Sequence, residues 1–237
     1  MKRRFIDRFD VILLDLALTF MFGVDRFSAA DDVAATYRQI GGRTLSDRKV
    51  RQIIAGVFDT MSADARHPQS YDRFPAVHSY LETLSQSQNL SKNERQLLEH
   101  VFALHEVGVI PDSHAEALCY LSKTHRLGVV SDIWSRSDLF LREFARAGIH
   151  NLFDIILFSS DHGHLKPSPY PFLQAIVAFP VDRAKIVFVG DSLRRDIAGA
   201  KAAGLSTVWI NPEQGTIEAD VPKPDLVVQD LRELLEA

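Results

Sequence analysis

The sequence predicts an α/β fold: a doubly wound parallel sheet whose first strand is separated from the rest by an all-helical insertion. Three observations carry this. The stretch "VILLDLALTF" is an apolar run that ends on a single carboxylate, Asp15. From about residue 24 to 108, helical periodicities follow one another with no strand between them. From residue 109 onward, short β-branched runs alternate with helices, which is the pattern of βαβ units.

The elements follow in order. Residues 9–14 form the opening strand. The insertion carries "AADDVAATYRQIGG", "SDRKVRQIIAGVFDTMSADAR", "PAVHSYLETLSQSQ" and "SKNERQLLEHVFALHEVG". Ser46 and Ser91 stand where N-caps belong, and Glu94 lies at capping-box spacing from Ser91. Next comes "AEALCYLSKTHR", an amphipathic helix on which Cys119 is expected to pack. Strands are then expected at 127–131, 153–160, 185–191, 206–211 and 225–230. The helical segments "RSDLFLREFARAG", "PYPFLQAIVAF" and "LRRDIAGAKAAG" separate the first four of these, and a last short helix follows the fifth. Pro212, Pro222 and Pro224 mark a loop between late elements.

Composition narrows the classes. The chain has 237 residues, 46% hydrophobic and 24% charged, enough for a sizeable core. A net charge of -4 gives no basic footprint for nucleic acid, and Lys2, Arg3 and Arg4 amount to a solvated terminus. No apolar run approaches the roughly 18 residues of a membrane span, and no signal-peptide h-region opens the chain. The single cysteine excludes an internal disulfide and suits a reducing compartment. The expectation is a soluble, cytoplasmic protein with no nucleic-acid or membrane partner.

In open parallel sheets, ligands bind beyond the carboxyl ends of the strands. Those ends carry Asp15, then Ser131 and Asp132, then Asp191, with Asp196 five residues further on and Lys166 in the loop "HGHLKPSPYPF". Each residue alone fits a helix cap or a solvated turn. Together they bring acids, a hydroxyl and an ammonium to one edge, a set suited to phosphoryl transfer. Asp15 and Asp191 are candidate oxygen ligands for Mg²⁺, and one carboxylate is a candidate nucleophile toward phosphorus. Ser131 and Lys166 would bind the equatorial oxygens, where transition-state charge spreads. Positive charge from Lys166 and the metal would also keep the clustered acids ionised.

The whole chain resembles the haloacid dehalogenase (HAD) superfamily. Its first motif, Asp-x-Asp-x-Thr, is matched by "DLALT" at Asp15 and Thr19 but not at Ala17. Its second is matched by "LGVVS" at Ser131, its third by Lys166 in "LKPSPYPF", and its fourth by Gly190, Asp191 and Asp196 of "GDSLRRD". The resemblance implies a Rossmann-like core from residues 1–19 and 107–237, with a C1-type helical cap from 20–106. It implies that Asp15 is nucleophile and metal ligand. The Ala17 carbonyl and Asp191 would be further ligands, with Asp196 supporting the metal site. Ser131, Asp132 and Lys166 would contact substrate, and Thr19 would position the nucleophile loop. The expected substrate is a small phosphorylated metabolite.

Ala17 stands where the family's phosphatases carry a second Asp, the general acid–base. Losing such a group typically costs about 10²- to 10⁴-fold. Leu18 adds bulk where glycine is common. Three readings follow. One is a Mg²⁺-dependent phosphohydrolase that is slow or takes its acid from elsewhere, with Asp25, Arg26, His67 and Arg73 as cap candidates. The second resembles phosphonoacetaldehyde hydrolases, which also carry Ala at this place and form a Schiff base on a cap lysine, here Lys49 or, second, Lys92. The third is a phosphometabolite-binding module. The superfamily's 2-haloacid dehalogenases also lack the second acid, but the retained "GDSLRRD" ranks them below phosphorus chemistry.

Overall fold

The computed structural model describes residues 4–217 and 220–236, so Lys2 and Arg3 of the basic terminus lie outside the described residues. Six strands form one parallel sheet: β1 (Val11–Leu14), β2 (Arg126–Ser131), β3 (Phe153–Phe158), β4 (Ile186–Gly190), β5 (Ser206–Ile210) and β6 (Leu226–Val228). Their order is β3-β2-β1-β4-β5-β6. Leu14 pairs with Val129 of β2 and Val189 of β4, so the carboxyl ends of the three central strands lie level. The strand order reverses at the β1/β4 junction, where an α/β sheet opens its ligand crevice.

The apolar runs become central strands because both faces of the sheet are covered. On one face Ile12, Leu14, Val129, Val187 and Val189 pack with Phe20 and Phe144. On the other, Val11, Leu13, Val130 and Phe188 pack with Phe172. The covering helices are α5 (Asp112–Leu121), α6 (Asp138–Arg146), the single turn α7 (Ser159–His162), α8 (Pro169–Val177) and α9 (Ala198–Ala202), numbered after the four helices of the insertion. Cys119 of α5 is half-buried against the first of these clusters.

The insertion folds as α1 (Val33–Gln39), α2 (Asp47–Asp64), α3 (Val77–Thr83) and α4 (Lys92–Glu106) around its own apolar cluster, which includes Tyr37, Ile53, Val57, Leu98 and Phe102. On α2 the buried residues Val50, Ile53, Ile54, Val57 and Met61 follow the helical repeat and make one inward stripe. Ser46 Oγ accepts the Lys49 N–H and Ser91 Oγ accepts the Glu94 N–H, as their spacing predicts. The Glu94 carboxylate instead accepts the Tyr37 hydroxyl at 2.6 Å, so the box residue ties α4 to α1.

The chain leaves and re-enters the sheet at one place. Phe22 and Val109 exchange backbone hydrogen bonds at 2.9 and 2.8 Å, an antiparallel bridge across 87 residues of sequence (109 minus 22). The Arg26 guanidinium donates to the carbonyls of Gly23 (2.5 Å), Val107 (2.9 Å) and Leu104 (2.5 Å), locking the outgoing strand to the returning one.

Element ends differ from expectation where a local turn intervenes. The first strand begins at Val11 because Ile6–Arg8 takes a 3₁₀ turn, closed by the Phe9 N–H on the Ile6 carbonyl. Strand β3 stops at Phe158, where α7 coils up and Gly163 ends it at a φ of 75°. Helix α3 ends at Thr83 because Leu84 turns extended. The segment after Asp191 is a π-helical turn, Leu193–Ile197, before α9, and the final segment, Leu231–Leu235, is 3₁₀.

Candidate active site

Asp15 follows β1 directly, and its N–H continues the ladder by donating to the Val189 carbonyl at 2.9 Å. This fixes where its side chain starts. Two groups converge on Asp15 Oδ1: the Ser131 hydroxyl at 2.8 Å and Lys166 Nζ at 2.5 Å. Ser131 ends the neighbouring strand β2, so the pairing of β1 with β2 sets the first contact. Lys166 arrives from the loop before α8. It is held by its backbone N–H on Asp132 Oδ1 (3.1 Å) and by Nζ on the Val130 carbonyl (3.2 Å). The burial penalty of Asp15 is therefore offset by an ammonium and a hydroxyl on one oxygen.

Lys166 Nζ also lies 2.6 Å from Asp196 Oδ1, so one buried ammonium serves two carboxylates. Asp196 is carried in by the π-helical turn, a device common at functional sites, and its other oxygen accepts the Ser192 N–H at 2.9 Å. Close approach needs the glycine before Asp191: a Cβ on Gly190 would lie 2.4 Å from Asp196 Oδ2. The Asp191 carbonyl accepts the Trp209 indole N–H at 2.8 Å, which secures that turn from β5. Carboxylate oxygens of Asp15, Asp191 and Asp196 lie within 4.8 Å of one another.

Lys166 by itself does not hold all the acids ionised; the expectation from sequence joins it with a metal. Burial opposes the charge on Lys166, but Asp15, Asp196 and Asp132 outweigh it and hold the ammonium above the ordinary lysine range. That one cation does not balance every acid. Burial, then Asp196 and Asp15, push Asp191 upward. Burial likewise raises Asp196 and Asp132 despite Lys166. Three hard oxygen donors around a deficit of positive charge are what a divalent cation such as Mg²⁺ requires.

The site opens into a cavity of about 200 Å³. It is lined by Asp15, Ala17, Ser131, Asp132, Lys166, Asp191 and Asp196, so nearly all the residues expected from sequence come together. Thr19 does not join them: it is fully buried off the cavity wall, and its hydroxyl has no partner among the described residues. Leu18 is half exposed and holds a φ of 55°, the left-handed region that glycine enters more cheaply. His67, Arg73, Lys49 and Lys92 line no part of the cavity, and Arg26 is committed to carbonyls of the neck.

Nine further residues complete the walls, and three of them, Asp25, Glu106 and Arg195, are charged. Asp25 was one of several cap candidates and is the one that reaches the cavity, with Val24 beside it. It is open to solvent there, yet the surrounding protein pushes its carboxyl up to about 6, with Arg195 and Arg26 pulling the other way. Glu106, the last residue of α4, is buried and pushed up to about 7 by that burial. It accepts the backbone N–H groups of Trp134 (2.5 Å) and Ser135 (2.9 Å) and the Ser135 hydroxyl. Arg195, inside "GDSLRRD", pairs with Asp132 Oδ2 at 3.5 Å. Glu106 carries no sequence signal; Arg195 had one, as the neighbour of a motif acid.

Comparison with known proteins agrees with this geometry. The chain is 33% identical over 124 residues to a phosphoserine phosphatase of Thermus thermophilus, covering 51% of this chain and 49% of that protein. It is 32% identical over 130 residues to a glyceraldehyde 3-phosphate phosphatase of Methanothermobacter thermautotrophicus, covering 53% and 57%. The chain thus spans about half the length of the curated relatives it matches. Among solved structures, a 2-haloacid dehalogenase of Pseudomonas syringae superposes with a TM-score of 0.65 at 25% identity, over 96% of this chain and 97% of that one. The family model described as haloacid dehalogenase-like hydrolase matches residues 75–210, more than half of the sequence. With the parallel sheet and its strand-end acids already in place, that match settles kinship: the chain belongs to the haloacid dehalogenase-like hydrolase family.

Proposed function

We propose that this protein is a phosphohydrolase acting on a small phosphorylated metabolite through an aspartyl-phosphate on Asp15. The observation that carries the reading is the convergence of Ser131 Oγ and Lys166 Nζ on one oxygen of Asp15. The hydroxyl and ammonium that fix that carboxylate also suit the equatorial oxygens of a phosphoryl group. The relatives named as phosphatases of small phosphorylated compounds support it, as does a cavity of about 200 Å³.

In this reading an Asp15 oxygen attacks phosphorus and the bond to the leaving oxygen breaks, with Lys166 and Ser131 holding the transferred group. Asp132 positions Lys166 through its backbone and orients Arg195 at the wall. Asp15, Asp191 and the Ala17 carbonyl would hold Mg²⁺, with Asp196 beside them; when bound, the ion neutralises charge on the phosphoryl oxygens. Water then releases phosphate from Asp15. Residues 20–106 serve as a cap, since Val24, Asp25 and Glu106 close the cavity from that side.

The test is p-nitrophenyl phosphate turnover with Mg²⁺ and with EDTA, for the parent and for Asp15→Asn. Turnover that needs the metal and vanishes in Asp15→Asn is expected. Ala17 and the likeness to a 2-haloacid dehalogenase favour a second reading, attack of Asp15 on carbon. Chloride release from 2-chloropropionate in EDTA, with no phosphatase activity, would replace the first reading by the second.

A further inference from the structure

The carboxyl missing at position 17 leaves the proposed reaction without a donor for the leaving oxygen and without a base for water. Six acids line the cavity. Asp15, Asp191 and Asp196 form the cluster around Lys166. Asp132 has one oxygen on the Lys166 N–H and the other on Arg195. Glu106 has both oxygens occupied by donors from Trp134 and Ser135, so it is an acceptor in a structural joint. Asp25 differs from all five. It lies outside the cluster, and among the described residues no hydrogen bond engages its carboxylate.

Asp25 is also held firmly. Its φ of 53° lies in the left-handed region, which besides glycine Asn and Asp enter most readily. Its N–H donates to the Glu106 carbonyl at 3.2 Å. Its neighbour Arg26 is fastened to three carbonyls and, by its own N–H, to His105 O at 2.9 Å. The backbone that brings Asp25 to the cavity wall is thus fixed, while its carboxylate is left without a hydrogen bond among the described residues.

We infer that Asp25 is the catalytic acid–base of this protein, supplied by the segment leaving the sheet in place of the side chain absent at Ala17. This rests on the phosphohydrolase reading. As Asp15 attacks and the phosphorus–oxygen bond breaks, the leaving oxygen takes the electron pair, and the Asp25 carboxyl gives it a proton, releasing an alcohol. The Asp25 carboxylate then takes a proton from water as the water oxygen attacks the phosphorus of the aspartyl-phosphate. Inorganic phosphate leaves and the Asp15 carboxylate is restored. A carboxyl that titrates near 6 is suited to both duties.

The experiment uses p-nitrophenyl phosphate with Mg²⁺, because p-nitrophenolate departs without a proton while hydrolysis of the phosphoenzyme still needs a base. Asp25→Asn should give a rapid burst of one equivalent of p-nitrophenolate, followed by turnover about 10²-fold below the parent. Adding Ala17→Asp to Asp25→Asn should restore steady turnover. Asp25→Gly, which meets the left-handed φ without strain, should show the same burst and rescue, separating loss of the carboxyl from damage to the fold. Turnover of Asp25→Asn within twofold of an active parent would overturn the assignment alone, as would a fall with neither burst nor rescue. A parent with no turnover that depends on Asp15 would overturn the phosphohydrolase reading, and this assignment with it.

Discussion

At the scale of single residues, the site is an exercise in balancing buried charge. Lys166 is shared between Asp15 and Asp196, and the geometry that allows this depends on a position with no side chain at all. A methyl group on Gly190 would sit 2.4 Å from Asp196 Oδ2 and 2.6 Å from its Cγ. Asp196 has little room to retreat, because it is buried, ion-paired with Lys166 and bonded to the Ser192 N–H. Gly190→Ala should therefore fold but lose about 1–3 kcal/mol to overpacking. It should also weaken Mg²⁺ binding at least tenfold, since the carboxyl beside the proposed ligands is displaced. Urea unfolding and calorimetric titration with Mg²⁺ measure the two effects, and unchanged Mg²⁺ affinity would show that Asp196 stands outside the metal site.

At the scale of elements, the sheet was legible because its central strands β1, β2 and β4 are apolar runs buried on both faces, and such runs advertise themselves. The residues that follow them were legible for the same reason: Asp15, Ser131, Asp132 and Asp191 need only the strand ends to be level. Lys166 and Asp196 followed from the motifs. Asp25, Glu106 and Arg195 were harder to place. Asp25 and Glu106 reach the cavity through the bridge between Phe22 and Val109, a pairing across the whole insertion that no local pattern specifies. Arg195 reaches it through a π-helical turn that the sequence presents as ordinary helix. The neck also makes a prediction. Arg26→Met leaves three carbonyls without their charged donor, at a cost of about 2 kcal/mol. It should raise proteolytic cleavage around residues 20–25 and 105–110 while leaving the isolated cluster of α1–α4 intact. Cleavage spread evenly over the chain would argue against a local neck.

At the scale of the whole molecule, the surplus of acids around the cavity couples stability to pH and to metal. Asp25 is raised to about 6 and Glu106 to about 7, and Asp132, Asp191 and Asp196 are raised as well. An acid whose folded pKa exceeds its unfolded value binds more protons in the native state. The stability it lends is complete below the unfolded value and is lost as pH rises through the folded one. Histidines act oppositely at lower pH: burial depresses His162 to about 4 and also lowers His114, so their effect favours the native state as pH rises to about 6.5. Above that point the acids act with little opposition. In EDTA, stability should fall between about pH 6.5 and 8.5, with Glu106 alone contributing about 1 kcal/mol of the loss. Glu106→Gln should remove that share of the slope even if it lowers stability throughout, because its amide no longer accepts on both sides. Added Mg²⁺ should stabilise more at pH 8.5 than at 6.5, since the carboxylates of the cluster bind a cation only when they have shed their protons. Urea titrations at both pH values, with EDTA and with Mg²⁺, give all of these slopes. A stability that is flat or rising above pH 6.5 in EDTA would mean that water or relaxation, not Lys166 and the metal, relieves the buried charge.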